Sequence, residues 1–250
     1  MLQRSLVFLD QLYVLFLFLL LTAAWGIGCY FASLFPGGEG RAHRYLAHWA
    51  RISLRLARLH ITVAGLEYLD LARTYVFMPN HASFLDILLV LMCIPHNFRI
   101  IVKKEVFWIP FLGQAVRSSG QIPLDRENPR KGLQSIKEAA DLLKKGVSIV
   151  VFPEGTRSRD GKVHEFKATL FVLPIWVRTP VVPVLIDGTF RALQRGSVLL
   201  KRCPIKMTFL EPVPADSLSE KDRALYAERV RQSLVRSVQN PTLAAKTAAE

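Results

Sequence analysis

The sequence has few cysteines, and none of them stands where a disulfide framework or a zinc site requires one. Three occur in 250 residues, with no CxxC and no histidine–cysteine ligand spacing. Cys29, Cys93 and Cys203 each lie in an apolar stretch, which predicts reduced thiols in a packed core and a cytoplasmic setting. The histidines and carboxylates also lack a ligand cluster at a useful spacing. We therefore expect neither a metal nor another bound cofactor.

Acidic side chains are in the minority. Asp and Glu number 20 against 33 Lys and Arg, which gives a formal charge of +13 at pH 7. Such an excess suits an anionic partner: a nucleic acid, a phospholipid surface or a phosphorylated substrate. Nucleic acid is the least favoured of the three, because the signatures of the common recognition modules are missing.

No Gly/Ser-rich linker, internal repeat or low-complexity tract divides the chain. With 51% hydrophobic residues it can bury one sizeable core, although its length alone allows one domain or two. We divide the chain into an N-terminal membrane anchor over residues 1–40, a main domain over 41–240 and an Ala-rich flexible tail over 241–250.

Charged residues are absent from 24 successive positions, Leu12 to Phe35. A membrane-spanning helix needs about 20 predominantly apolar residues, whereas the apolar part of a signal peptide has only ~7–15. A full span is therefore the first prediction. A break of the helix at Gly26 or Gly28 would give the alternative, a re-entrant or interfacial helical hairpin.

Basic residues are concentrated on the C-terminal side of this stretch, whereas only Arg4 precedes it. The positive-inside bias therefore places everything after residue 40 in the cytoplasm. Arg51, Arg55 and Arg58 recur at helical spacing, which fits either a surface helix against anionic headgroups or an ordinary solvated helix face. Arg41 and Arg44 also belong to the group of basic residues that follows the apolar stretch.

Beyond residue 60, short apolar runs alternate with helical patterns, which predicts an α/β fold with a mostly parallel central sheet flanked by helices. The clearest helix is Pro129–Lys145, with Asn128 as its N-cap and Gly146 after its end. A second helix, Ser219–Val238, opens with a Ser-x-x-Asp capping box. The predicted strands are Ile61–Ala64, Thr74–Met78, Phe98–Val102, Val147–Phe152, Val181–Ile186 and Ile205–Leu210.

His81 and Asp86 form a candidate general-base pair directly after the second of these strands. A carboxylate near an imidazole can fix its tautomer and stabilise its protonated form. Residues five apart on a regular helix are ~140° apart around the axis. The two can therefore meet only if His81 lies in the turn before the helix and Asp86 in its first turn. The alternative is structural, because Ser83-x-x-Asp86 is also a capping box that satisfies backbone donors.

Basic residues follow three further strand-like runs. Lys103-Lys104 follows one run, Arg126 follows another, and Arg157 lies in a glycine-containing turn after a third. In an open α/β sheet ligands bind at the strand ends, and guanidinium groups match phosphate oxygens. The alternative is a set of solvated loops with incidental charges. Because His81 also follows a strand, we favour one shared phosphate-binding edge.

Four segments resemble the glycerolipid acyltransferase family, in particular its bacterial 1-acyl-glycerol-3-phosphate acyltransferases, in the right order over about residues 60 to 210. They are the H-x4-D segment Asn80–Asp86, a second block from Lys103–Gly113 through Ile122–Arg126, Phe152-Pro-Glu-Gly-Thr-Arg-Ser158, and Val181–Ile186. The resemblance implies an acyltransferase domain that moves a fatty acyl group from acyl-CoA or acyl carrier protein to the sn-2 hydroxyl of 1-acyl-glycerol 3-phosphate. The product is phosphatidic acid, made in phospholipid biosynthesis on the cytoplasmic side of a bacterial inner membrane.

The resemblance also implies a role for each candidate residue. His81 would deprotonate the acceptor hydroxyl, and Asp86 would orient the imidazole. The phosphate would be held by Lys103, Lys104, Arg126 and Arg157, and the acceptor site would be shaped by Glu154, Gly155 and Thr156. Because the chain has no Gly-x-Ser-x-Gly elbow and no activated cysteine, direct attack is favoured over an acyl-enzyme.

The chain departs from the family pattern after Lys167, since Thr169 and Arg178 stand where the family often has glycine. We interpret the bulky apolar stretch Thr169–Val177 as a tightly packed core helix, with an acyl-chain wall as the alternative. The acceptor stays open between lysophosphatidic acid, another lysolipid and glycerol 3-phosphate. A different class also stays open, namely a non-catalytic membrane protein that binds anionic lipid.

Overall fold

The computed structural model describes residues 2–239, with side chains from Phe8 onward. The tail predicted for residues 241–250 lies outside the described residues, and the boundary predicted at residue 40 stays a prediction. The α-helices of the described part are α1 Leu2–Ser33, α2 Gly38–Leu56, α3 Leu85–Cys93, α4 Leu112–Ser118, α5 Pro129–Lys144, α6 Val172–Val177, α7 Thr189–Ala192 and α8 Arg223–Gln239. Short 3-10 helices cover Leu66–Tyr68, Lys104–Trp108, Ala168–Phe171 and Glu220–Asp222.

A seven-stranded sheet forms the centre of the described chain, in the order β1-β7-β6-β2-β5-β3-β4. Every neighbouring pair is parallel except β6 and β7, which are antiparallel. The predicted fold class, a mostly parallel sheet flanked by helices, is confirmed. The strands are β1 Ile61–Ala64, β2 Val76–Pro79, β3 Phe98–Lys103, β4 Ile122–Leu124, β5 Ser148–Val150, β6 Val181–Asp187 and β7 Ile205–Phe209.

The sheet buries a different apolar layer on each face, because alternate residues of a strand point to opposite sides. Phe77 and Val150 belong to one layer, whereas Val76 and Ile149 belong to the other. Helices α1 to α4 cover the first layer, and α5, α6 and α8 cover the second. Full burial of a large side chain such as Phe77 contributes about 1.5–3 kcal/mol to stability.

The ends of the two predicted helices follow the capping chemistry of the sequence. Asn128 Oδ1 accepts hydrogen bonds from the backbone N–H groups of Arg130 and Lys131, at 3.1 and 3.2 Å. Gly146 follows the end of α5 with a φ of +83°, a conformation that glycine adopts without a steric penalty. The Ser-x-x-Asp box also forms as predicted before α8.

The N-terminal segment is a helical hairpin in which α1 and α2 pack side by side. Cys29 Sγ lies 3.5 Å from the Ala42 carbonyl oxygen, and the rings of Phe18 and Trp49 are 5.6 Å apart. These pairings run in opposite directions along the two helices, so the helices are antiparallel. The N-terminal part of α1 is also attached to the main domain, because Gln11 exchanges two hydrogen bonds of 2.8 Å with the backbone of Leu200.

The break considered at Gly26 and Gly28 does not occur, since α1 runs unbroken through both to Ser33. Tertiary contact explains Gly26 instead. A Cβ at that position would lie 2.5 Å from the carbonyl oxygen of Phe111, closer than any side chain tolerates. Gly26 is therefore the point at which the loop before α4 packs directly on the backbone of α1.

The outward face of α1 is an apolar stripe, which we call the α1 stripe. By length and composition, Phe8–Ser33 is able to cross a membrane, and little of its most apolar part is buried inside the protein. The stripe consists of Phe8, Leu9, Leu12, Tyr13, Phe16, Leu19, Leu20, Ala24, Ile27, Tyr30 and Phe31. Beside it, the exposed residues Arg44, His48, Arg51, Arg55 and Arg58 follow one another along and just beyond α2.

Candidate active site

His81 and Asp86 meet at the junction between β2 and α3. His81 lies in the turn after Pro79, and Asp86 is the second residue of α3. The His81 Nδ1 atom is 2.8 Å from Asp86 Oδ2, and the carboxylate side chain is only 1% exposed. The structure thus has the one arrangement in which residues with this spacing can touch.

Asp86 also performs the structural role that its position in the sequence allows. Its Oδ2 accepts hydrogen bonds from the backbone N–H groups of Ala82 and Ser83, at 2.7 and 2.8 Å. The capping interpretation and the pairing interpretation therefore describe the same carboxylate. Because an ionised carboxylate can only accept, Nδ1 of His81 carries the proton, and Nε2 keeps a free lone pair.

The imidazole of His81 is held on a ring and faces a cavity. Its centroid lies 4.1 Å from that of Phe152, with 32° between the ring planes. The His81 side chain is 15% exposed and lines a cavity of about 1020 Å³. A histidine with one nitrogen fixed by a carboxylate and the other free beside a cavity is able to act as a general base.

The loop after β5 fixes the backbone of His81 from both sides. Glu154 Oε1 accepts a hydrogen bond from the His81 N–H at 2.8 Å, and the Ser158 N–H donates to the His81 carbonyl at 2.7 Å. Ser158 is itself held, because its hydroxyl donates to Asp160 Oδ1 at 2.8 Å. His164 Nε2 lies 2.7 Å from the same oxygen. Sequence reasoning missed this support, although the Ser-x-Asp spacing is typical of a side chain that stabilises a turn.

The structure places Glu154 behind His81 rather than on the cavity wall. Glu154 is 6% exposed, and its Oε2 makes no hydrogen bond to a described residue. Gly155 and Thr156, by contrast, line the cavity as the sequence suggests.

Most of the predicted phosphate-binding residues line the same cavity as His81. Lys103, Arg126 and Arg157 are on its wall, and Arg126 donates to the carbonyl oxygen of Gly155. Lys104 is not among the lining residues. Its Nζ lies 3.1 Å from Asp125 and 3.5 Å from Glu127, so its charge is already paired.

Three further cations that the sequence did not single out line the cavity, namely Lys167, Arg195 and Arg223. Lys167 packs on the backbone of Gly155, and Arg195 Nη1 donates to the Thr156 hydroxyl at 3.4 Å. Lys103 Nζ lies 3.2 Å from Glu105, whereas Arg126, Arg157, Lys167, Arg195 and Arg223 form no ion pair within the described residues. Five cations without an anionic partner around one cavity indicate a site for an anion.

The rest of the cavity is mostly apolar and is lined from both faces of the sheet. On the side of α2 to α4 it is lined by Trp49, Phe84, Ile87, Leu91, Leu112 and Val116. On the side of α5 and α6 it is lined by Leu133, Ile136, Leu170 and Trp176. The stretch Thr169–Val177 is partly core and partly cavity wall, since Phe171 and Leu173 are fully buried while Thr169 and Val172 line the cavity.

Replacing Glu154 with Gln is expected to change how stability depends on pH. Burial raises the pKa of Glu154 from 4.5 to about 7, against the lowering effect of the His81 N–H. A carboxyl group with a raised pKa binds more protons in the folded state than in the unfolded state. It therefore lowers the stability of the fold as the pH rises from about 4.5 to about 7. Gln keeps the acceptor for the His81 N–H without the charge.

The free energy of unfolding of Glu154→Gln, relative to the wild type, should therefore increase by up to about 3 kcal/mol across that window. Chemical unfolding of both proteins at several pH values measures this difference. A difference that stays constant with pH would contradict the assignment.

Comparison with known proteins agrees with this geometry. A family described as Acyltransferase matches residues 60–187. A 1-acyl-sn-glycerol-3-phosphate acyltransferase of Limnanthes douglasii is 30% identical over 231 residues, which is 91% of this chain and 82% of that protein. One of Cocos nucifera is 34% identical over 171 residues, or 68% of this chain, and the match spans about half of its own length, 55%.

A solved structure has the same fold over nearly the whole chain. It is the crystal structure of the 1-acyl-sn-glycerophosphate (LPA) acyltransferase, PlsC, from Thermotoga maritima. The TM-score is 0.79 at 26% sequence identity, and the match covers 95% of this chain and 98% of that one. The similarity therefore includes the N-terminal hairpin as well as the sheet.

Proposed function

This chain belongs to the Acyltransferase family, and we propose that it transfers a fatty acyl group from an acyl thioester to the sn-2 hydroxyl of 1-acyl-glycerol 3-phosphate. The product is phosphatidic acid. One observation carries the proposal: the His81–Asp86 pair shares a single cavity with cations that lack an ion-pair partner and with a long apolar wall. A base, an anion site and an apolar surface are what a lysolipid phosphate requires.

His81 acts as the general base. An alcohol is a weak nucleophile at neutral pH, so a positioned base is needed to take its proton. Nε2 accepts the proton while the hydroxyl oxygen attacks the thioester carbonyl, and Asp86 stabilises the imidazolium through Nδ1. The new C–O bond forms, the C–S bond breaks, and the imidazolium returns the proton to the departing thiolate.

The acceptor phosphate is held by the cations on the cavity wall. Arg157 is half-buried and has no ion-pair partner among the described residues, so its planar guanidinium is free for two phosphate oxygens. Of the other predicted cations, Lys103 and Arg126 line the cavity and Lys104 does not; Lys167 is added to the set. Holding the phosphate fixes the distance of the acceptor hydroxyl from His81. The entropy cost of bringing the hydroxyl and the base together is then met by substrate binding and not in the chemical step.

The acyl thioester is a co-substrate, carried by coenzyme A or by acyl carrier protein, and no cofactor is required. The protein works at a membrane, with the α1 stripe in the apolar phase and the basic side of α2 toward anionic headgroups. In a bacterial cell this is the cytoplasmic face of the inner membrane, because the basic residues follow the apolar segment.

Another lysolipid or glycerol 3-phosphate is the alternative acceptor. The apolar wall and the α1 stripe favour a lipid, because a soluble acceptor needs neither. A non-catalytic lipid-binding protein accounts for the charge and the stripe, but not for a base fixed beside an anion site.

The test is turnover of the purified full chain with a panel of lysolipids and glycerol 3-phosphate, each with acyl-CoA and acyl carrier protein as donors. We expect the highest kcat/KM for 1-acyl-glycerol 3-phosphate. No transfer to any acceptor from either donor would refute the proposal.

A further inference from the structure

The loop that leads into α4 exposes an unbroken apolar run, Phe107–Phe111, which we call the lip. Trp108 is 80% exposed, and Ile109 and Phe111 are 46% and 49% exposed. The run contains no polar side chain. Consecutive exposed apolar residues of this kind are unfavourable in water unless they serve a function.

The lip is built around a strained turn. Phe111 has φ of 62° and ψ of −51°, and the Leu112 N–H donates to the Pro110 carbonyl at 2.7 Å. This is a γ-turn with positive φ, which is rare and costs energy in a residue with a side chain. The turn persists because Gly26 of α1 leaves room for the Phe111 backbone at direct contact. The strain is therefore maintained by the packing of the lip against α1.

The lip connects two apolar surfaces. Gly26 lies at one edge of the α1 stripe, so Phe111 continues that stripe beyond the helix. Ile109 and Leu112 line the cavity that also contains His81. An apolar path therefore runs from the outer face of α1, over the lip, to the candidate base.

We propose that the lip enters the boundary between headgroups and hydrocarbon in a phospholipid bilayer and guides the acyl chain of the acceptor into the cavity. This inference rests on the proposed function. The partner is a bilayer because Trp108 has the amphipathic ring that prefers this boundary and because the stripe continues the same surface. Arg117, which lies 6.0 Å from the Phe107 ring centroid, complements anionic headgroups at its base.

Fluorescence quenching tests whether Trp108 enters the bilayer. The probe is a vesicle of phosphatidylglycerol and phosphatidylcholine with brominated acyl chains, mixed with the full chain. Trp108→Phe should remove a large share of the bromine quenching. Vesicles of the same lipids without bromine are the control, since they report any change in fluorescence that is not quenching. Unchanged quenching in Trp108→Phe, as expected if a protein partner covers the lip, would overturn the inference.

Activity distinguishes lipid entry from a general defect. Trp108→Ser should lower kcat/KM about tenfold for a long-chain acceptor embedded in vesicles, the factor that corresponds to one large apolar contact with the bilayer. The same variant should stay within about twofold of the wild type for a short-chain acceptor dispersed in water. Leu225→Ser is the control, because Leu225 is 71% exposed on α8 and should affect neither assay.

Equal losses for the two acceptors would overturn the entry route, as would no loss for either. If the wild type transferred acyl groups to neither acceptor, the proposed function would fail. The quenching result would still decide whether the lip enters a bilayer.

Discussion

Replacing His81 with Ala is expected to lower the turnover number at least about 100-fold, within the range of general-base catalysis. The imidazole ring contributes little to the hydrophobic layers, because it lies at the cavity wall. The hydrogen bonds of the residue 81 backbone to Glu154 and Ser158 do not depend on the side chain. We therefore expect the variant to fold and to bind vesicles like the wild type. The measurement is the rate of acyl transfer at saturating substrates, with vesicle binding determined in parallel.

The matched control is His48→Ala. His48 is an exposed histidine on α2, and its Nδ1 bonds only to the Arg44 carbonyl of the same helix. Its loss should leave turnover unchanged. Full turnover in His81→Ala would remove the base from the mechanism, and a parallel loss of vesicle binding would show that His81 is structural.

The second large effect concerns the anion site. Arg157→Ala should raise the KM for the phosphate-bearing acceptor by roughly 10- to 100-fold, because hydrogen bonds to a charged group contribute about 1.5–3 kcal/mol. The KM for the acyl donor should change far less. Initial rates with each substrate varied in turn separate the two constants.

Lys104→Ala provides the comparison for this result. Lys104 has the same charge and is near in sequence to the cavity residues, but it does not line the cavity and its charge is paired with Asp125 and Glu127. Its removal should leave the acceptor KM nearly unchanged. If Arg157→Ala weakened donor and acceptor equally, Arg157 would be a structural residue.

The His81–Asp86 contact was predictable because both partners lie within one local turn. Their spacing permits only one arrangement on a strand–helix junction, and the apolar flanks fix where that junction lies. The mostly parallel sheet was predictable because most of its strands are short apolar runs. The three-residue strand β4 was recognised only as a strand-like run before Arg126 and was not among the predicted strands, because so short a run carries no periodicity.

Lys103 and Lys104 show where local pattern is insufficient. Neighbouring residues at a strand end point in different directions, so one can face the cavity while the other faces away. Which one does so depends on the register of β3, and the sequence of the pair does not contain that information. The acids that neutralise Lys104 belong to the segment after β4.

Lys167 and Arg195 show a second limit. They reach the cavity from segments with no motif, by the packing of loops far apart in sequence. Gly26 shows the same limit in reverse, because a residue considered as a point of helix breakage is required there by a contact with residue 111. Tertiary packing overrides the intrinsic preference of glycine at this position.

The two hydrogen bonds that Glu154 and Ser158 make to His81 have a mechanical consequence. The segment that carries Arg157 and the residue that carries the imidazole are fastened together, so neither can shift alone. An acceptor with a bulkier headgroup would push on that segment and tilt the ring with it. Acceptors would then differ more in the rate at which they react than in the affinity with which they bind.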